Sequence, residues 1–225
     1  MNNVHDDIQS FDQVFRVWVQ RTCREWNFEL PPESYYSEVF ARLPVGLHAT
    51  IEFGHKQGLL LDAGKSNTGS AGFRLERVPG SKGPYSWFEK DSQKKQPRPA
   101  WECFIQAAEY VRLYETFKDK DYVLTFEDDL MDIALYRDNN LIVCCAIKEQ
   151  LHQAKKLVES IKEYGHSIDF TLDDRGHDAL RKAKYIIKFK PEYFYAVSIG
   201  GRFEYQITHP REKTFRLSED IIPFI

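Results

Sequence analysis

The chain has 225 residues, 42% hydrophobic, 14% aromatic and 29% charged, which is the composition of a folded protein with mass for one well-buried domain, or a compact domain with an appendage. A net charge of -3 excludes a chain-wide electrostatic grip on nucleic acid, though it leaves room for a local basic face. No apolar run approaches the roughly 18 residues of a membrane helix, and MNNVHDDIQSF lacks the basic n-region and apolar core of a secretory signal, so a soluble cytoplasmic protein with no membrane partner is expected.

Ser10 is placed to cap a first helix that runs to about Asn27, with Phe11, Val14, Phe15, Trp18, Val19 and Thr22 on one apolar face. Pro31-Pro32 presets a second helix, Glu33 to Arg42. The glycine-rich runs that follow predict an antiparallel meander with strands over Leu47 to Phe53, Leu59 to Asp62 and Phe73 to Val78. GKSNTGSAG, Gly64 to Gly72, has glycines and a Gly-Lys-Ser run. It lacks the four-residue spacer and following helix of a phosphate-cradling loop, so it reads as a flexible hairpin tip.

Pro79 to Pro99 mixes glycine, proline and serine with Lys90, Lys94, Lys95 and Arg98 around Tyr85, Trp87 and Phe88. Two readings stand: a surface that tracks a nucleic-acid strand, or a solvated loop whose aromatics plug back onto the domain. It also marks the expected boundary between residues 1–98, a helix with antiparallel strands, and residues 99–225, a second core.

Pro99 opens a helix over Ala100 to Lys118, burying Trp101, Phe104, Ile105, Ala108 and Val111. Tyr122 to Phe126 is its following strand. Ile133 to Tyr136 and Leu141 to Ile147 flank Arg137-Asp138-Asn139-Asn140, a hairpin signal because Asp and Asn tolerate the left-handed backbone of a tight turn. An amphipathic helix with Leu151, Ala154, Leu157, Val158 and Ile161 then runs to Gly165. Ser167 to Leu172 alternates like a strand, Arg175 to Lys184 reads as a short capped helix, and Tyr185 to Phe189 and Tyr193 to Ile199 read as strands. Gly200-Gly201 turns the chain into Phe203 to Thr208, and the apolar tail Ser218 to Ile225 is expected to dock. The cysteines, Cys23, Cys103, Cys144 and Cys145, have neither metal-ligand nor disulfide spacing and read as buried thiols.

Helix, three strands, helix and strand, with Asp132 at the start of the second strand and Ile147-Lys148 at the end of the third, resembles the PD-(D/E)xK nuclease superfamily. The resemblance implies an α+β, restriction-endonuclease-like core with an N-terminal helical and antiparallel β extension. It implies that Asp132 ligates Mg²⁺ or Mn²⁺, that Lys148 is the catalytic cation, and that a helix acid, Glu109 or Glu102, joins them. A divalent ion is what lowers the pKa of an attacking water and neutralises phosphodiester charge. The chain departs from the family at Ala146, where the acid of the E-x-K triplet belongs; Glu159 or Glu163 of the next helix, or Glu127, Asp128 and Asp129, are the stand-ins. Lys94, Lys95, Arg98, Arg175, Arg181, Lys182 and Lys184 are the expected backbone contacts for nucleic acid. The implied activity is phosphodiester hydrolysis in defence, restriction or repair. The alternative is a catalytically silent binding module, such as an immunity or accessory subunit with a protein partner or a second copy. In that case Asp132 and Lys148 form only a sheet-edge ion pair.

Overall fold

The computed structural model describes residues 10–78 and 83–219. The chain is a mixed α+β protein that separates into two compact units, residues 1–76 with 83–104, and residues 77–82 with 105–225. Among the described residues no helix is long and apolar enough to cross a membrane.

The first unit holds α1 (Phe11–Trp26), α2 (Glu33–Arg42), α3 (Val45–Lys56), a sheet in the order β1-β2-β3 (Leu60–Asp62, Gly72–Leu75, Tyr85–Ser86) and a ribbon of β4 (Phe88–Asp91) with β5 (Gln96–Pro99). Ser10 and Gln13 close a reciprocal capping box at the start of α1. The helix buries Phe11, Phe15, Trp18, Val19, Thr22 and Cys23. Trp87 is the hub of this core: it stacks on Trp18 at 4.8 Å and Phe73 at 4.1 Å, and lies 4.7 Å from Phe104. Trp87 and Phe88 are fully buried, so the plugging reading of that segment holds, with β3, β4 and β5 formed where a loop was expected. Residues 79–82 of that loop lie outside the described residues.

The Leu47 to Phe53 strand is a correction: these residues lie within α3. Pro44, just before the helix, fixes the entry φ, and Leu47 and Ile51 repeat at a helical step. The GKSNTGSAG segment is tied down by its hydroxyls: Ser66 Oγ lies 2.9 Å from Ser70 Oγ, and Thr68 Oγ1 lies 2.9 Å from Ser86 Oγ. Gly72 admits no side chain, since a Cβ there would stand 2.5 Å from the Tyr85 carbonyl oxygen.

The second unit takes up α4 (Trp101–Phe117) from Ile105 onward. Then come β6 (Val123–Asp128), β7 (Met131–Arg137), β8 (Asn140–Gln150), α5 (Leu151–His166), α6 (Asp178–Phe189), β9 (Tyr193–Ile199), β10 (Gly201–Thr208) and β11 (Arg216–Ser218). The six-stranded sheet has the order β11-β10-β9-β8-β7-β6; β8 and β9 run parallel and the other neighbours antiparallel. Asp138 and Asn139 turn β7 into β8 with φ of 49° and 61°, the left-handed pair the sequence predicts.

Alternation along the strands assigns the two faces. Ala134, Cys144, Ala146, Phe194 and Ala196 pack with Leu157, Val158 and Ile161 of α5 and Leu180, Ala183 and Ile186 of α6. The opposite parity, Phe126 across from Ile133 and Ile133 across from Cys145, faces α4, whose Tyr110 meets the Phe126 ring edge-on at 6.1 Å. The result is three layers, helix, sheet and helix pair.

Three expectations are corrected in this unit. Ser167 to Leu172 forms no strand; Asp169 Oδ1 accepts from the Thr171 backbone N–H at 2.9 Å, and this local turn competes with any ladder. The helix expected from Arg175 starts at Asp178, and Tyr185 to Phe189 continues it instead of forming a strand. Of the tail, Ser218 ends β11, and the expected docking of residues 220–225 lies outside the described residues.

Candidate functional site

Asp132 sits in β7 with the parity of Ala134, so its side chain leaves the sheet on the α5/α6 face. Ile133 opposite Cys145 in the β7·β8 ladder sets Asp132 across from Ala146. Ala146, where the resemblance led to the expectation of an acid, therefore presents a buried methyl group to the aspartate. Asp132 Oδ2 accepts the Ile147 backbone N–H at 2.6 Å, and its backbone carbonyl accepts from Gln106 Nε2 at 2.8 Å. The second Gln106 Nε2 contact is Glu127 Oε1, at 2.8 Å.

The cations come from two elements. Lys148, near the end of β8, places Nζ 2.9 Å from Asp178 Oδ2. Lys182, one helical turn after Asp178 on α6, places Nζ 3.2 Å from Asp178 Oδ1 and donates to the Leu130 carbonyl at 2.7 Å. The Lys182 side chain is only 5% exposed, so its charge is held in place rather than solvated. Burial pushes the Asp132 carboxyl above its ordinary range; Lys182, the Ile147 N–H and Lys148 oppose that, and Glu127 adds to it. Burial also acts upward on Asp178, but Lys182 and Lys148 together bring it below the ordinary aspartate range.

Asp132 and Lys148 thus belong to one cluster with Asp178 and Lys182; Lys182 was expected to contact nucleic acid, and its pairing with Asp178 here is what sequence reasoning missed. Its signal was present: Asp178 and Lys182 are four residues apart on a helix, the spacing at which side chains meet. The other expected ligands are placed elsewhere or engaged. Glu109 is buried on α4 and accepts from Arg202 Nε at 3.1 Å, with Arg112 Nε at 3.3 Å. Burial pushes its carboxyl up to about 7, against the pull of Arg112. Arg202 also pairs with Glu204 and lies 4.4 Å over the Tyr195 ring. Glu159 and Glu163 are exposed on α5, Glu159 lining a groove with Lys155, Lys162 and Arg202, and Glu102 is exposed in the first unit.

Four of the seven expected nucleic-acid cations, Arg98, Arg175, Lys182 and Lys184, are matched by acids. Arg175 pairs with Asp173 at 2.7 Å and Lys184 with Asp174 at 3.2 Å, while Lys184 also donates to the Leu172 carbonyl. Arg181 is half-buried on α6. In the first unit, Lys94 and Lys95 are exposed at the tip of the β4–β5 ribbon and Arg98 pairs with Glu89.

Around Asp132 the donor set is two carboxylates facing two ammonium groups, with a methyl at Ala146. Asp132 and Asp178 are balanced by Lys148 and Lys182, and Glu127, whose charge also reaches Asp132, is engaged by Gln106, so the two aspartates as they stand are a poor fit for Mg²⁺ or Mn²⁺. Among the described residues no group of three or more His, Cys, Asp or Glu is placed to hold a metal ion. Comparison of the chain with protein-family models, curated proteins and solved structures finds no match.

Proposed function

We propose that the chain is a nuclease-like scaffold without turnover, a cytoplasmic binding module of the accessory or immunity kind. The observation that carries this reading is the Ala146 methyl opposite Asp132, beside a lysine pair already matched to Asp178. The order α4, β6, β7, β8, α5 and, after α6, β9, with β8 parallel to β9, supports a relation to the restriction-endonuclease-like core. The partner this reading favours is a protein, because aspartates matched to Arg175, Lys182 and Lys184 weaken the positive field that phosphates require.

Incubation with single- and double-stranded DNA and RNA in Mg²⁺ or Mn²⁺ tests it. The expected result is no cleavage, and no ion uptake at Asp132 by calorimetry. A second reading, metal-dependent phosphodiester hydrolysis, has one observation in its favour: Asp178 supplies a carboxylate beside Lys148 from a helix. Mn²⁺-dependent cutting that disappears in both Asp132→Asn and Asp178→Asn would establish this second reading and end the first.

A further inference from the structure

We infer that Lys182 is the resident cation of the Asp132/Asp178 site, an ammonium held where a divalent ion would otherwise be drawn, and that its charge is what keeps such an ion out. This rests on the reading of the chain as a silent nuclease-like scaffold. Two oxygens lie on the Lys182 ammonium, and the Asp132 carboxylate stands near enough to feel its charge. The Leu130 carbonyl, which precedes β7, accepts from Nζ at 2.7 Å. Asp178 Oδ1 lies 3.2 Å from the same nitrogen. Asp132, two residues after Leu130, feels Lys182 more strongly than any other charged side chain. One carbonyl and two carboxylates are the hard ligands that Mg²⁺ and Mn²⁺ take, with water completing the shell.

The placement of the charge is the second support. A lysine is seldom buried without partners, because its ammonium loses its hydration. Here the side chain is 5% exposed and its ammonium is paired with Asp178 and the Leu130 carbonyl, so the site already has its positive ion. Lys148 does not duplicate this: its ammonium lies on the other oxygen of Asp178, at 2.9 Å. Removing only the Lys182 charge leaves two carboxylates and the Leu130 carbonyl with a single ammonium. The balance shifts by one charge toward cation binding.

The test is Mn²⁺ binding, by calorimetry and by the loss of free-ion electron paramagnetic resonance signal, in the full chain, in Lys182→Met and in Lys182→Met/Asp132→Asn. Methionine keeps most of the aliphatic volume and removes the charge. The expected result is Mn²⁺ bound by Lys182→Met at least about tenfold more tightly than by the unaltered chain, equivalent to about 1.4 kcal/mol, with the gain lost in the double variant. Where the methionine variant does not fold, Lys182→Gln, which keeps a donor for the Leu130 carbonyl, is read in the same way. A folded variant with no gain, or a gain that survives Asp132→Asn, overturns the inference. Cleavage by the unaltered chain overturns the functional reading instead, so the two failures are distinguishable.

Discussion

Truncating Asp132 to alanine should destabilise the chain through a backbone group, and the geometry sets the magnitude. Asp132 Oδ2 is the acceptor for the Ile147 N–H at 2.6 Å, beside the fully buried Ala146 and Ile147. Without it that N–H loses its acceptor in a part-buried place, which costs about 1–3 kcal/mol. Asparagine retains an amide oxygen for the same N–H and loses only the charge, which burial already disfavours, so Asp132→Asn should cost less than about 1 kcal/mol. For a chain of this length each kcal/mol lowers the melting midpoint by about 2–4 °C. Thermal unfolding followed by circular dichroism on the unaltered chain, Asp132→Asn and Asp132→Ala reads the difference directly. The pH dependence has a definite sign. The folded carboxyl titrates above the unfolded one, so the folded state holds its proton more tightly. The unaltered chain should gain stability relative to Asp132→Asn as pH falls through that window, and lose the gain as pH rises. An alanine variant as stable as the asparagine one would refute the reasoning, because the N–H would then be satisfied without Asp132.

A methyl at Gly165 would stand 2.6 Å from the Phe215 backbone oxygen, in the segment where the Phe215 N–H donates to the Gly165 carbonyl. Gly165→Ala should therefore lower the urea midpoint by an amount equivalent to about 1–3 kcal/mol, and an unchanged midpoint would show that this contact yields freely. Cys144 and Cys145 are fully buried, and burial pushes both thiols up, as it pushes Cys23 up to about 11. Maleimide labelling of the native protein should be confined to Cys103, with all four modified only after denaturation; mass spectrometry of modified peptides would expose a mistake in this packing. Burial raises Glu109 from an ordinary 4.5 to about 7, so the unaltered chain should lose stability relative to Glu109→Gln as pH rises from 4.5 to 7. The full linkage is about 3 kcal/mol, reduced by the Arg202 contact; a stability difference flat across that window would mean that the two arginines hold Glu109 ionised throughout.

Much of the fold is legible where side-chain period and turn chemistry agree. The α1 face and the Asp138-Asn139 turn rest on apolar spacing and local backbone preference, and the structure has them there. Gly165, by contrast, lies inside α5, which runs on to His166, and is needed for the close approach of Phe215 rather than as a cap. Legibility fails where short apolar runs suit either period. VGLHATIEFGHK carries β-branched residues and glycines and still forms α3, because burial of Ile51 and Gly54 on one side outweighs strand propensity. Asp169 to Leu172 alternates in sequence, yet Phe170 and Leu172 are 42% and 51% exposed and no strand pairs with them. Partners far apart in the chain were the least accessible: Glu109 was visible as a helix acid, but its pairing with Arg202 depends on β10 returning beside β9.

The element most misread is also the one that governs the site. Divided into a short basic helix and a strand at Tyr185, the segment after Arg175 is a positive run with a lone acid, and its natural use is to meet phosphates. As one helix, α6, it docks through Leu180, Ala183, Ile186 and Ile187, and that docking fixes which of its charges turn inward. Asp178 and Lys182 then lie one turn apart against the mouth of β7, where they meet Lys148 and the Leu130 carbonyl. The same docking leaves Lys188 outside, exposed over the Phe189 ring. The period of that apolar stripe therefore determines more than a secondary-structure boundary. It converts a surface of uncompensated cations into a charge-matched cluster around the buried Lys182, and with it the more economical role for Asp132 shifts from gripping an ion to holding β7 against β8.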